Sequence, residues 1–597
     1  MERARRSFTF RSVIIGLFFA ILGTCVNTYL GINFGMGIGL SVIAILISYF
    51  LFSKAEEQVS LKEISIVYLI STSSLQAYWV LGTAIFMTEY FKDVSFPGWL
   101  LPPNEVVYAK SLDLHYWILP IFTLFCLELI STGLGLIISL VLGEDLASEE
   151  RMVFPNIAMS ASLIKACTRG GETVRLVTIT MILGSCITLF LRLISLITGK
   201  ETTLINLSPY LPYGSVLLIS LNLGFIALGY ILSAEVSLSL LASGLFLYLL
   251  LLPFLCLKGI VMYSQDINQL YNSLLFNFSI SPALGMLLLG GISLSILNMV
   301  KEKILRKEEE KATRKGLIEL YKVLWERILV NKYLRYLVFA LLALTLILAY
   351  ILNPLDPFPR YVSPLFVLYA ALLASFLEFI ILTRMAGETG MTMGVLGIML
   401  YDVPILVSGY RGYTAYMALS YFKPSPWTGP SVVGLIKYSD LLGIDYRDII
   451  KGKLLGWVPT FLLSALLTLL LWKNLGFATS EMPSLGLIQA ALYIRMLATG
   501  SLTGGGLLDV RLFMMGGLLG ALLEVVTPIS LTGLAMGLLL PPQYMIPIGI
   551  GGFLRLYTDR VYGRGYFRER GLLIATGFMA SSMVVEILVL LLTSLFK

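Results

Sequence analysis

Long apolar runs separated by short polar stretches fill almost the entire chain. A membrane-spanning helix needs about 20 apolar residues, so the pattern predicts about 16 spans in two halves. In the first half they lie near residues 11–29, 33–53, 62–90, 115–143, 173–198, 214–232, 233–257 and 279–300. In the second half they lie near 333–353, 361–384, 390–408, 448–473, 484–500, 505–527, 530–558 and 567–595. We therefore expect an all-α polytopic transmembrane bundle.

Two stretches break this regular pattern. Region 411–446 carries several prolines around Trp427, which favours a broken helix or a re-entrant hairpin over a plain span. In the first half, Phe154 and Pro155 precede a short helix that ends near Lys165. Broken helices in two weakly similar halves are typical of secondary transporters, although glycine-rich helices also occur where helices only pack closely.

A strongly charged segment, residues 301–315, separates the two halves. Eight spans return the chain to its starting side, and Lys and Arg concentrate on the cytoplasmic side of membrane proteins. The sequence thus predicts a first transmembrane half, 1–300, a charged cytoplasmic connector, 301–332, and a second transmembrane half, 333–597.

The composition excludes a soluble globular protein. Of the 597 residues, 57% are hydrophobic and 13% are charged, against roughly a quarter charged in soluble domains. The net charge of +7 is attributed to cytoplasmic loops, so the expected surroundings are a lipid bilayer and nucleic acid is not an expected partner. Arg3, Arg5 and Arg6 place the N-terminus in the cytoplasm of a cell-membrane protein.

Cofactor chemistry has little support in the sequence. The five cysteines show no CxxC spacing, and His115 is the single histidine. No metal site or other cofactor is expected, and a proton relay within the membrane must consist mainly of carboxylates, hydroxyls and backbone carbonyls.

Four glutamates lie in the middle of apolar spans, where an ionisable group is costly unless it faces a cavity or a partner. They are Glu128, Glu378, Glu524 and Glu586. A buried carboxylate can load a proton on one side of the membrane and release it on the other. The alternative for each residue is a structural hydrogen bond to a neighbouring helix.

Two further positions are candidates for binding a charged ligand. Glu388 lies within the glycine-bracketed break 387–390, four residues after Arg384, and helix ends at such a break can hold charged termini or ions. The sign of the ligand stays open. Lys437 and Asp440 share one face of a short helix, where they pair with each other or with a zwitterion.

Four short motifs follow one another along nearly the whole chain. They are Arg11 through Asn27, Tyr29, Leu30, Gly31 and Gly35; Glu149-Glu150-Arg151-Met152-Val153-Phe154-Pro155 with Lys165; Ala386-Gly387-Glu388-Thr389-Gly390; and Leu540-Pro541 with Gly551 to Arg555 and Arg570 to Gly577. In this order they resemble the oligopeptide transporter family, which includes proton-coupled peptide carriers and the related yellow-stripe carriers of metal chelates.

The resemblance implies a secondary symporter that moves small peptides or peptide-like amphoteric solutes with protons by alternating access. The expected substrate-binding residues are Glu388, Thr389 and Gly390, with Phe154, Pro155, Asn27 and Tyr29. Arg384 or Lys437 is the candidate for a substrate carboxylate, and Glu378, Glu128 and Glu524 are the candidates for proton coupling.

Other functions stay open at this point. The sequence lacks the Asn-Pro-Gly and Lys-Ile-Pro-Pro-Arg signatures of the peptide-transporting branch, so a metal-chelate carrier is the alternative within the family. An intramembrane enzyme acting on lipid-linked substrates is a weaker alternative, because the long loops carry no paired DxD or metal-ligand cluster. No GxxxxGK[ST] motif suggests an ATP-driven motor. The oligomeric state is undetermined, with a homodimer as one option.

Overall fold

The computed structural model describes most of the chain. The described residues are 8–34, 40–55, 60–73, 77–91, 94–149, 151–169, 171–198, 204–264, 266–287, 316–352, 366, 368–390, 398–410, 412–418, 428–479, 482, 484–499, 509–526, 529–563 and 565–595. Residues Arg3, Arg5 and Arg6, the charged segment 301–315 and the prolines before Trp427 lie outside this set.

The first third of the chain folds into helices. These are α1 (Phe10–Phe34), α2 (Ser41–Ala55), α3 (Leu61–Ser71), α4 (Tyr78–Tyr90), α5 (Asn104–Tyr108), α6 (Leu114–Ala147), α7 (Pro155–Arg169) and α8 (Gly171–Thr198). The longest, α6, begins at a defined cap because the Asp113 side chain accepts a hydrogen bond from the His115 N–H. The helix has 34 residues, and its mainly apolar sequence includes Glu128 and, near its end, Glu144 and Asp145.

A small hairpin and a second group of helices follow. Strands β1 (Leu204–Asn206) and β2 (Leu218–Ser220) pair antiparallel, with Ile205 opposite Ile219. The helices are α9 (Leu223–Ile231), α10 (Ala234–Leu245), α11 (Leu252–Leu257), α12 (Ile267–Leu274), α13 (Ile280–Gly285), α14 (Leu317–Val330) and α15 (Lys332–Leu352). A π-helical segment, Phe246–Leu251, joins α10 and α11 into one continuous rod.

The last part of the chain combines long and short helices. They are α16 (Ser375–Thr389), α17 (Val403–Val407), α18 (Thr414–Ala418), α19 (Thr428–Lys437), α20 (Ser439–Leu442), α21 (Tyr446–Leu475), α22 (Leu485–Thr499), α23 (Val510–Val526), α24 (Leu531–Leu539), α25 (Pro542–Val561) and α26 (Leu572–Leu595). The short helices α18, α19 and α20 occupy the described part of region 411–446, where the prolines predict an interrupted helix.

Six helices in the described residues are long and apolar enough to cross a bilayer. They are Phe10–Asn33, Leu114–Ala147, Arg175–Ile194, Ala234–Leu257, Tyr369–Thr389 and Tyr446–Leu475. A seventh candidate is the pair α14 and α15, which is bent by 106°. The chain is thus a multi-pass helical membrane protein, but the predicted number of 16 spans is not confirmed.

Three predicted single spans are each divided in the structure, and the one at 214–232 contains strand β2 followed by the short helix α9. The span predicted at 62–90 is interrupted between α3 and α4, where the Thr72 and Ser73 hydroxyls donate to the carbonyls of Tyr68 and Leu69. Such hydroxyls compete with the backbone for helical hydrogen bonds. The span predicted at 530–558 is interrupted before α25, because consecutive prolines cannot continue a helix from α24.

Helices of the two predicted halves pack directly against each other. Helix α8 packs on α26, α9 on α25, α10 on α24, and α13 on α23. The described part of the predicted connector also packs: Leu320 and Leu324 of α14 are buried, and Arg327 binds Asp145 and the Val141 carbonyl of α6. The core therefore runs through the interface between the halves.

Candidate functional site

The glycine-bracketed motif 387–390 forms the end of α16. Gly390 has a φ of 72°, and its N–H donates to the Ala386 carbonyl, which stops the helix. Only glycine adopts this left-handed conformation without steric cost. The Thr389 hydroxyl turns back and donates to the Met385 carbonyl at 2.7 Å. Helix α16 thus ends within the protein interior, at the site that the glycines predict.

The start of α7 lies against this helix end. The Phe154 N–H donates to the Gly387 carbonyl at 2.8 Å, and the Asn156 amide donates to the Gly390 carbonyl at 3.0 Å. A Cβ added to Gly387 would lie 2.6 Å from the Met152 sulfur, so the side chains of this segment pack closely on Gly387. The structure therefore brings together two predicted elements, the Phe154–Pro155 break and the 387–390 break.

Glu388 is fully buried beside this junction. Its exposed fraction is 0%, and the Ser530 hydroxyl donates to Oε2 at 3.0 Å. Ser530 also caps α24 by accepting from the Gly533 N–H, and its own N–H donates to the Ser239 hydroxyl. Sequence reasoning missed both serines, because serine in an apolar run gives no distinctive signal.

The two candidate cations are held by other groups of the protein. Arg384 pairs with Glu149 at 2.7 Å, and the two side chains are 6% and 7% exposed. Lys437 ends the short helix α19 and donates to the Ala147 carbonyl at 2.6 Å and to the Glu149 carbonyl at 3.3 Å. Burial lowers the pKa of Lys437, and the nearby carboxylate of Glu149 partly offsets this effect.

These contacts change the interpretation of the predicted cation positions. Lys437 reaches back to the end of α6, while Asp440 is exposed, so the contacts of Lys437 are not the predicted pairing between these two residues. Arg384 and Lys437 both meet at Glu149, which belongs to the motif just before α7. The cluster of Glu149, Arg384 and Lys437 therefore ties the segment between α6 and α7 to α16 and α19.

Glu378 lies ten residues before Glu388 on α16 and is also fully buried. Ten residues span about 15 Å along a helix, so the two carboxylates occupy different depths. Tyr401 lies beside Glu378, and its hydroxyl is 3.3 Å from the Ser375 hydroxyl. Glu378, Ser375 and Tyr401 thus form a small polar cluster among apolar side chains.

The other predicted site residues lie elsewhere. Glu128 is on α6, where the Thr132 hydroxyl donates to it at 3.4 Å. Asn27 and Tyr29 are on α1, which packs on α3, α21 and α22. The side chain of Glu524 on α23, like that of Glu586, lies outside the described residues.

Two buried ionisable positions escaped the sequence analysis. Glu63 of α3 receives two hydrogen bonds from Arg11, at 3.0 and 2.6 Å. Lys453 of α21 is 2% exposed and lies near Thr72. Both charged residues occur near the predicted ends of spans, where Lys and Glu ordinarily face water, so their burial had no sequence signal.

Metal binding has no structural support in the described residues. Among them, no group of three or more His, Cys, Asp or Glu side chains is placed to hold a metal ion.

Comparison with known proteins gives the family directly. The family model described as OPT oligopeptide transporter protein matches residues 7–593, which is nearly the whole chain. A search of curated proteins gave no match. The motifs, the membrane-spanning helices and this match agree, and the chain belongs to the oligopeptide transporter family, whose members are transporters and not enzymes.

Proposed function

We propose that this protein is a secondary transporter that carries short peptides, or peptide-like amphoteric solutes, across the cell membrane together with protons. Its N-terminus would face the cytoplasm. The observation that carries the proposal is the buried carboxylate of Glu388 at the junction of two interrupted helices, α16 and α7. Secondary transporters place their substrates at such junctions.

The charges at the junction favour a substrate with an amino group. Helix α16 ends there with a partial negative charge and helix α7 begins there with a partial positive charge, so the two helix ends partly offset each other. The carboxylate of Glu388 then supplies the net negative charge. We therefore assign the amino terminus of the peptide to Glu388 and the Gly390 region, with Thr389, Phe154 and Pro155 forming the wall.

A separate carboxylate, that of Glu378, carries the coupled proton in this proposal. Glu378 is fully buried on the same helix and lies beside Tyr401 and Ser375. A carboxyl that moves between two openings of a transporter can gain a proton on one side and lose it on the other. Glu128 and Glu524 are the additional candidates on α6 and α23.

The test is uptake into proteoliposomes. Purified protein receives a mixed library of di- and tripeptides, with metal chelates in a parallel arm, under an imposed inward proton gradient. We expect peptide accumulation that disappears when the gradient is collapsed, and Glu378→Gln should abolish it in protein that remains folded. Glu105→Gln is the matched control, because Glu105 is exposed.

Three results would contradict parts of this proposal. Accumulation of metal chelates but not of peptides would show that the substrates are metal chelates. Peptide accumulation that persists without the gradient would show that transport is not coupled to protons. Uptake by Glu378→Gln with unchanged proton dependence would remove that residue from the coupling.

A further inference from the structure

Two π-helical segments meet beside Glu378. The first, Tyr369–Ala374, leads directly into α16, and the second, Ile398–Asp402, leads into α17. The two segments pack on each other, and the Tyr369 hydroxyl donates to the Leu400 carbonyl at 3.2 Å. π-helical turns are rare and often occur at functional sites. Their meeting point beside a buried carboxyl group therefore favours a functional role.

Ser375 closes the first π-helical segment with two hydrogen bonds to one carbonyl. Its N–H and its hydroxyl both donate to the Ala370 carbonyl, the hydroxyl at 2.7 Å. A hydroxyl group has a single proton to donate and can accept as well. Because the Ser375 proton goes to Ala370, the Ser375 oxygen is left to act as an acceptor.

Tyr401 of the second segment is placed to use this acceptor and Glu378. Its hydroxyl is 3.3 Å from the Ser375 hydroxyl, and its phenol also interacts with the carboxyl group of Glu378. All three side chains are buried, Tyr401 at 2% exposure and the other two at 0%. A distance of 3.3 Å is long for a bond between two hydroxyl groups. The phenol thus has one proton and two buried acceptors.

The charge of Glu378 decides which acceptor receives that proton. An ionised carboxylate is the stronger acceptor, so Tyr401 then donates to Glu378. A protonated carboxyl group donates its own O–H to the phenol oxygen, and the Tyr401 proton turns to Ser375. Every hydroxyl proton has an acceptor in both charge states, and no proton leaves Tyr401.

Other ionisable groups of this region have different contacts. Tyr369 also interacts with Tyr401, but its hydroxyl donates to the Leu400 carbonyl. Asp402 accepts from the Tyr493 hydroxyl at 2.9 Å. Of the charged and phenolic side chains on α16 and on the helices packed against it, the following contact other groups: Arg384 contacts Glu149, Glu388 contacts Ser530, Glu128 contacts Thr132, Glu144 contacts Tyr446, Asp145 contacts Arg327, Glu235 contacts Arg151, Lys437 contacts the carbonyls of Ala147 and Glu149, and Tyr321 contacts the ring of Phe376.

We propose that Tyr401 is a positioning residue for proton coupling, and that its phenol switches between Glu378 and Ser375 as the carboxyl group loses or gains a proton. This proposal rests on the proton transport through Glu378 proposed above. Each switch changes the hydrogen bonding of Ser375, which closes the π-helical turn before α16. The charge of Glu378 is thereby transmitted to the helix that ends at the junction with α7.

The test measures the pH at which uptake is half-maximal in wild type, Tyr401→Phe and Ser375→Ala. Uptake is followed in proteoliposomes with a fixed inward pH difference at a series of external pH values, and Tm in detergent verifies folding. Infrared spectra of the same proteins record the band of the protonated Glu378 carboxyl group, identified by its loss in Glu378→Gln. Tyr248→Phe is the matched control, because Tyr248 is equally buried and its hydroxyl donates to the Leu540 carbonyl.

We expect the two variants to shift this pH in opposite directions. Tyr401→Phe removes the donor to the carboxylate, so protonation becomes easier and the midpoint rises by about one pH unit, the equivalent of one hydrogen bond to a charged group. Ser375→Ala removes the acceptor that the phenol uses beside protonated Glu378, so the midpoint falls by about half a pH unit. Tyr248→Phe should leave the midpoint unchanged.

A purely structural Tyr401 gives a different result. Both variants would then lower the uptake rate or the Tm without moving the midpoint, which would overturn the switch while proton-coupled transport stands. Shifts of both variants in the same direction would also overturn it.

The infrared titration separates this proposal from the proposed function. If wild type shows no proton-coupled uptake, the proposed function fails, but opposite shifts of the Glu378 band in the two variants would retain the hydrogen-bond switch. Equal midpoints, or no titrating band, would remove the switch as well.

Discussion

Three buried carboxylates on or beside α16 have three different neighbours. Glu149 meets the guanidinium of Arg384, Glu388 meets the hydroxyl of Ser530, and Glu378 lies beside the phenol of Tyr401. A guanidinium fixes a carboxylate as an ion pair, whereas a hydroxyl can accompany either charge state. Glu149 is thus held in a buried ion pair, whereas the binding role of Glu388 and the proton-coupling role of Glu378 are the ones we propose.

The ion pair at Glu149 gives a stability prediction. Arg384→Met leaves the buried Glu149 carboxylate without its ion-pair partner, with Lys437 still nearby, which should lower the free energy of unfolding by about 3 kcal/mol. The double variant Arg384→Met/Glu149→Met should recover much of this loss. Thermal unfolding in detergent measures both, and a double variant as unstable as the single one would refute this explanation.

Gly390 gives a second prediction. Its left-handed φ of 72° disfavours alanine, and an added Cβ would lie 3.2 Å from the Pro155 ring. We expect Gly390→Ala to lower stability by about 1 to 2 kcal/mol. Gly98→Ala is the control, since nothing lies within 4 Å of its added Cβ. Equal Tm values for the two variants would contradict the prediction.

At the scale of elements, one side-chain hydrogen bond links α7 to α16. Asn156→Ala removes the bond to the Gly390 carbonyl and should cost about 1 kcal/mol. We also expect a higher KM for uptake, because the junction loses its fixed geometry. Asn104→Ala is the control, because it removes a similar hydrogen bond, to the Val94 carbonyl at 3.3 Å, in a segment that does not belong to the junction. A change in KM of equal size in both variants would show that the effect is not local.

The sequence predicts some helix breaks and misses others for a clear physical reason. Glycines at 387 and 390 and the proline at 155 restrict the backbone directly, so their effect is visible in the sequence. The break after Ser71 depends on hydroxyls that compete for carbonyls, and Ser and Thr do so only in a suitable tertiary setting. The single span predicted at 62–90 failed for this reason.

Only some residues of the candidate site could be predicted from the sequence. Glu388 stands out as a charge between glycines, but its partner Ser530 is distant in the chain, and so is Ser239, which accepts from the Ser530 N–H. Lys453 is buried, but it lies two residues from the exposed Lys451 near the start of a helix. Its burial therefore could not be predicted from the local charge pattern. Partners that come from long-range packing have no local pattern from which to predict them.

At the scale of the whole molecule, the helix surfaces indicate which faces meet lipid. In α8, only 22% of an 18-residue apolar stretch of the span Arg175–Ile194 is buried inside the protein. Cys186 on this span is exposed. Because hydrocarbon would cover this face, a membrane-impermeant maleimide should fail to label Cys186 in intact vesicles. Labelling should appear in detergent that admits the reagent, as read by mass spectrometry.

Buried Cys167 is the internal control for that experiment, since the protein itself covers it in both conditions. Efficient labelling of Cys186 in sealed vesicles would show that this face borders water. The assignment of α8 to the lipid boundary would then be wrong.

The length of α6 also has a consequence for the membrane itself. Its 34 residues extend for about 50 Å, well beyond the roughly 30 Å of a hydrocarbon core, so α6 must tilt or protrude. Its end is joined to α14 through Arg327 and Asp145, and the chain turns by 106° between α14 and α15. A thinner bilayer that tilts α6 further would therefore strain the contact between α6 and α14. In this way the bilayer thickness would act on the helix that carries Glu128.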